Sequence, residues 1–180
     1  YRTIEDLGGI KYRFIDAGHI LGSGSLEIWF QSDNGEKKIV FSGDVGKNEN
    51  PIIQDPEHIA EADYVVVEST YGNRLHRGME ASIDEMVDAI KTTFKRGGNV
   101  LLPAFAVGRT QDILYILNKL IREKRLDDLD VYIDSPLAEK ATKIYMAHPE
   151  FFDEEASNHF RVKSSAGMRI HFTTTVEESQ

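Results

Sequence analysis

The sequence contains no cysteine among its 180 residues. Disulfides, thiolate catalysis and Cys-based zinc sites are therefore excluded, and any metal must rest on His and carboxylate ligands. Long apolar runs are missing too. The longest, NVLLPAFAV (99–107) and YVVVE (64–68), have the length of a buried strand and fall well short of the roughly 20 residues that cross a bilayer. No membrane partner is expected. Basic residues are the minority charge, with 21 Lys and Arg against 30 Asp and Glu and a net charge of −9. That balance argues against a protein that grips nucleic acid with its whole surface, because such binding needs clustered Lys and Arg to displace counterions. An acidic chain can still act on a phosphodiester where divalent metals bring the positive charge. The chain opens at Tyr1 with neither an initiator Met nor a signal pattern, which reads as a piece of a longer protein, and the absence of cysteine is compatible with a cytoplasmic home.

What is present divides into two halves. From residue 10 to 45 the pattern is β: IKYRFIDA, then SLEIWFQS, then a turn at Asp33–Gly35 before KKIVFSGD. Residues 46–62 read as a long loop, which YVVVEST closes as a buried strand. After Tyr71 the rhythm becomes helical. Ile83, Val87, Ile90 and Phe94 share a face, with Ser82 and Glu85 spaced as a capping box. GGNVLLPAF then predicts a strand, Ile113 to Ile121 a second helix, DVYID another strand, and Ser135 with Pro136 the start of a third helix. Alternating strands and helices predict a parallel α/β layer.

Three polar groups stand at the ends of successive apolar strands: His19, Asp44 and Glu68. Side chains so placed can converge on one rim of a sheet, although a Gly-Asp pair is also ordinary turn chemistry. Gly18 and Gly22 around the histidine, and Gly43 and Gly46 around the aspartate, point to close backbone approach beside both groups. In the second half, AVGRTQ runs through Gly108 into a helix start, where backbone N–H groups favour anions. Arg109 and Thr110 add a charged and a hydroxyl donor there. Ser135 repeats the geometry, with an N-cap as its simpler role.

The segments DAGHILGS, FSGDVG, ESTYGNR, LLPAFAVGRTQ and DSPLA, in this order over residues 16–138, resemble the metallo-β-lactamase-fold nucleases of the β-CASP group. The resemblance implies an α/β fold: part of an αββα metallo-β-lactamase-like sandwich over residues 1–70, then a Rossmann-like β-CASP cap over 71–180. It implies His19 as a metal ligand, Asp44 as a carboxylate bridging two zinc ions, and Glu68 as a catalytic acidic residue outside the metal shell. Gly108, Arg109, Thr110 and Ser135 become substrate-binding candidates for single-stranded RNA. Asp16 or a backbone carbonyl would support the His19 ring. The family's H-x-H-x-D-H signature is absent from this sequence, so its 180 residues alone are expected to lack a complete site and to be inactive. Of the other histidines, His76 is the best placed to touch substrate. A hydrolase of small esters or thioesters and a non-catalytic RNA-processing scaffold are the alternatives. The helical insert after Glu68 weighs against the first and the two intact ligand positions against the second. A homodimer is compatible with all three.

Overall fold

A computed structural model describes residues 1–75, 77–161, 167–173, 175, 177 and 178, with only the backbone considered at 159–161. The chain divides into two compact units, Tyr1–Thr70 with His148–Asn158, and Tyr71–Ala147 with His159–Gln180. The sequence reading placed 148–158 with the second half. Those residues instead bond to the long loop of the first: the Gln54 amide donates to the Phe151 carbonyl at 3.1 Å and the Asp153 amide to Ile52 at 2.8 Å. Ile52, Ile53, Phe152 and Ala156 are buried as a result.

The first unit is a five-stranded sheet in sequential order, built from β1 (Glu5–Asp6), β2 (Lys11–Asp16), β3 (Gly24–Ser32), β4 (Gly35–Phe41) and β5 (Tyr64–Val66). β1 to β4 run antiparallel, and β5 joins β4 in parallel. The β3–β4 hairpin pairs Ser32 with Gly35 across Asp33 and Asn34, and Gly35 opens β4 at φ +101°, a conformation that costs glycine little. The sheet's alternation is not simply apolar-in. Glu27, 1% exposed, lies on the same face as Ile15 and Val40 and is held by Arg13 and Lys38, each at 2.5 Å. Both cations also approach the Trp29 ring, at 5.5 and 5.2 Å. A buried carboxylate is tolerable only when paired in this way.

The second unit contains α1 (Met79–Lys95), α2 (Arg109–Arg122), β6 (Leu129–Asp134), α3 (Pro136–Ala147) and β7 (Met168–Thr173), with α4 (Glu154–Arg161) beginning in the first unit. Its core joins the apolar stripes of α1 and α2 to the inner face of β6, through residues such as Val87, Ile90, Leu114, Leu117 and Leu129. β6 and β7 pair in parallel, as alternating strands and helices require.

Three local expectations are corrected. The strand expected to be buried, β5, is only three residues long and exposed, because among the described residues it pairs with β4 on one side alone. α1 starts at Met79 with Gly78 as N-cap, so Ser82 lies one turn inside, where its hydroxyl donates back to the Gly78 carbonyl. Glu85 pairs with Arg77 instead of closing a capping box. The stretch 99–105 is not a strand. Leu101 and Phe105 are 89% and 85% exposed, and a cleft of about 780 Å³ lies along it, with residues 128–135 also in its wall. Among the described residues no helix is long and apolar enough to cross a membrane.

Candidate functional site

The first unit carries three loops at strand ends. Ala17–Ser23 leaves β2, Ser42–Gly46 leaves β4, and Val67–Thr70 leaves β5. They are fastened to one another through the backbone. The Gly46 amide donates to the Ala17 carbonyl at 2.8 Å, and the Val45 amide to Glu68 Oε1 at 3.2 Å. A Cβ on Gly46 would lie 1.7 Å from the Gly18 carbonyl oxygen, and one on Gly18, at φ +60°, would lie 2.4 Å from the Pro56 nitrogen. Close backbone approach therefore requires Gly18 and Gly46, whereas Gly22, at φ +87° with nothing within 4 Å of a Cβ, serves only the turn.

His19 and Asp44 are exposed and Glu68 is half-buried. The His19 loop is shaped by its neighbours: the amides of His19 and Ile20 donate to the Ser23 hydroxyl at 3.1 and 3.3 Å. Asp16, expected beside the imidazole, accepts the Gly18 amide proton at 2.8 Å, so this bond fixes the loop that presents the ring. Glu68 differs from a free proton-transfer group. Its Oε2 accepts the Thr70 amide at 3.1 Å while Oε1 accepts that of Val45. Hydrogen bonds from Thr70, hydroxyl first and amide second, and then from Val45, hold its carboxyl below the usual glutamate range, and the nearby His19 adds a smaller pull in the same direction.

An imidazole nitrogen and a carboxylate are suitable donors for zinc, but tight zinc sites use at least three protein ligands. Among the described residues no group of three His, Asp or Glu is arranged to hold a metal ion. These residues alone do not form a metal centre.

The candidates of the second unit are at the starts of two helices. Gly108, at φ +80°, caps α2; its amide donates to Gln111 Oε1 at 2.7 Å, and Gln111 Nε2 reaches Thr142 at 2.9 Å. The Arg109 and Thr110 amides donate to Val107 and Phe105 carbonyls, and the Thr110 hydroxyl also donates to Phe105 at 2.8 Å. The amides expected to face an anion are thus taken within the fold. The exposed Arg109 guanidinium remains the group suited to a phosphate. Ser135 accepts the Ala138 amide at 3.1 Å, an N-cap, and lines the same cleft as Thr110. His76 lies outside the described residues.

Sequence reasoning missed Ser42, Ser23 and Gln111. Each is a side chain bonded to loop or cap backbone; a small polar residue beside a glycine was the available signal for the two serines, and a Gln three residues after Gly108 for Gln111.

Comparison with known proteins shows what the chain is similar to. Residues 110–180 match the Beta-Casp domain. The chain is 37% identical over 155 residues to ribonuclease TTHA0252 of Thermus thermophilus, covering 86% of this chain and 34% of that protein. It is 36% identical over 152 residues to an RNase J-like protein of Methanocaldococcus jannaschii, covering 83% and 35%. To transcription termination factor FttA of Methanosarcina mazei it is 34% identical over 160 residues, covering 86% and 24%. Residues 110–180 are thus part of a Beta-Casp domain. The chain spans between about a quarter and a third of the length of these relatives.

Proposed function

We propose that these 180 residues are the central part of a zinc-dependent ribonuclease that hydrolyses phosphodiester bonds of single-stranded RNA. The observation that carries the reading is the fastening of the His19, Asp44 and Glu68 loops, by a main-chain bond between the first two and by the Glu68 carboxylate on the Val45 amide, in a chain whose relatives include proteins named as ribonucleases. On this reading residues 1–70 are part of a metallo-β-lactamase-like sandwich and 71–180 part of a β-CASP cap. His19 and Asp44 supply two ligands of a dinuclear zinc centre, and segments beyond these residues supply the others. Two bound zinc ions would bring a nucleophilic hydroxide and charge stabilisation at the scissile phosphate.

The chain's own residues then have separate tasks. Asp44 would serve as the carboxylate ligand shared by the two metals. Glu68 keeps the Asp44 loop in register through the Val45 amide and would orient and charge-tune a histidine that protonates the leaving group. Arg109 holds an RNA phosphate away from the reacting one, with Gly108, Thr110 and Ser135 shaping the helix starts beside it. A cytoplasmic home and a homodimer are compatible with this reading, and light scattering of the whole protein checks the second. Incubating the whole protein with end-labelled single-stranded RNA, with and without chelator, tests the function. Chelator-sensitive cleavage is expected, and RNA binding without cleavage would turn the reading to a scaffold.

A further inference from the structure

Parallel pairing of β4 with β5 sets Val40 opposite Val65 and Phe41 opposite Val66. One step on, the ladder should exchange two bonds at Ser42: its amide to the Val66 carbonyl, and the Glu68 amide to its own carbonyl. Only the first forms as expected, at 2.9 Å. The Ser42 carbonyl instead accepts the Ser25 hydroxyl at 2.7 Å, and the Glu68 amide donates to Ser42 Oγ at 3.0 Å. Ser42 is 7% exposed, and its own hydroxyl proton goes to the Gly43 carbonyl at 2.6 Å. A side-chain oxygen thus replaces a main-chain acceptor where the two strands part and Gly43, at φ +59°, turns the chain toward Asp44.

We infer that Ser42 is a positioning residue whose hydroxyl ties the Glu68 backbone to the strand end carrying Asp44 and so sets the spacing of the two carboxylates. With the Glu68 Oε1 bond to the Val45 amide, the tie closes a ring of contacts around Asp44, with Ser42 on one side and Val45 on the other. Its kinetic consequence rests on the nuclease reading above; its structural consequence does not.

The test compares Ser42→Ala with Ser25→Ala in the whole protein. Both remove a buried hydroxyl, 7% and 5% exposed, but only the first removes the acceptor of the Glu68 amide. Hydrogen exchange at the Glu68 and Val45 amides should accelerate on the order of tenfold in Ser42→Ala and remain unchanged in Ser25→Ala. RNA cleavage by Ser42→Ala should lose about tenfold in kcat at unaltered KM, because a displaced carboxylate acts on the transition state and leaves RNA binding alone. Ser42→Thr, which keeps the hydroxyl, should restore both readouts. Should Ser42→Ala fail to fold, Ser42→Cys, close in volume and a weaker acceptor, carries the same comparison. Unchanged Glu68 exchange in Ser42→Ala, or equal effects from both alanine variants, overturns the assignment. A wild-type protein that cleaves no RNA removes the nuclease reading, and amide exchange alone then decides whether the tie exists.

Discussion

The two units place their polar candidates by opposite means. In the first, the backbone carries the arrangement: glycine contacts with no room for a Cβ join the loops, and the side chains of Ser23, Ser42 and Glu68 accept amide protons from them. In the second, aliphatic packing among α1, α2 and β6 forms the frame, and the helix-start candidates are either satisfied locally, as Gly108 and Ser135 are, or exposed, as Arg109 is. The difference teaches where tolerance lies. A site built on backbone approach should fail abruptly when altered, whereas one that rests on an exposed side chain should weaken by degrees.

The largest effect expected is on Asp44. Asp44→Asn in the whole protein should abolish RNA cleavage and release bound metal, whereas Glu68→Gln should retain metal and lose activity within roughly the 10²–10⁴-fold range of an assisting group. Metal analysis after dialysis, beside single-turnover cleavage, checks this. Loss of metal from Glu68→Gln would place that residue in the coordination shell and undo the division of roles.

Next in size is a glycine comparison between the units. Gly46→Ala puts a methyl 1.7 Å from the Gly18 carbonyl, and backbone cannot swing aside as a flexible side chain can. A loss of about 3 kcal/mol or more is expected. Gly78→Ala, at the start of α1 with φ −58° and nothing within 4 Å of the new Cβ, should cost about 1 kcal/mol or less. Chemical denaturation of the two variants measures the contrast, and similar losses would remove the distinction between the units.

Arg109→Ala should act more gently. Losing one charge-assisted phosphate contact should weaken RNA binding on the order of tenfold and flatten the log–log salt slope by roughly 0.7, with the melting temperature unchanged. A fall in melting temperature with unaltered RNA affinity would show that the guanidinium serves the fold instead.

Periodicity and strand-end position made much of this arrangement legible in advance. The β2–β4 meander, the bodies of α1 to α3, the Ser135 cap and the three polar loops follow from alternation, helical spacing and glycine placement. What failed depended on neighbours distant in sequence. Residues 99–105 have the apolar run of a buried strand, but a strand needs an edge to pair with, and there the chain borders a cleft. The burial of Glu27 depends on the register that sets Arg13 opposite it and Lys38 two residues from its partner Val40. The burial of Ile52 and Ile53 depends on a segment nearly a hundred residues away, which no local pattern reports.

The smallest effect distinguishes the two units by acid and salt. Glu68 is depressed mainly by neutral donors, the Thr70 hydroxyl and amide and the Val45 amide. Asp130, on β6, is depressed by Arg169, with which it makes two bonds of 2.7 Å from β7, and by His171. Both carboxyls titrate below their unfolded values, so each adds stability that is fully present above that value and lost as pH falls through the folded one. For Glu68 the loss begins below the ordinary value of 4.5, and for Asp130 below 3.8. Salt should separate them. Charge pairs exposed to solvent are screened over about 10 Å at 0.1 M and over about 3 Å at 1 M, whereas short amide–carboxylate bonds are little affected. Acid unfolding of Glu68→Gln and Asp130→Asn, each against the parent protein at 0.1 M and 1 M salt, should show the Asp130 contribution shrinking and the Glu68 contribution persisting. Equal salt sensitivity would mean that charge rather than backbone geometry governs both carboxylates, and the contrast between the two units would then not extend to their electrostatics.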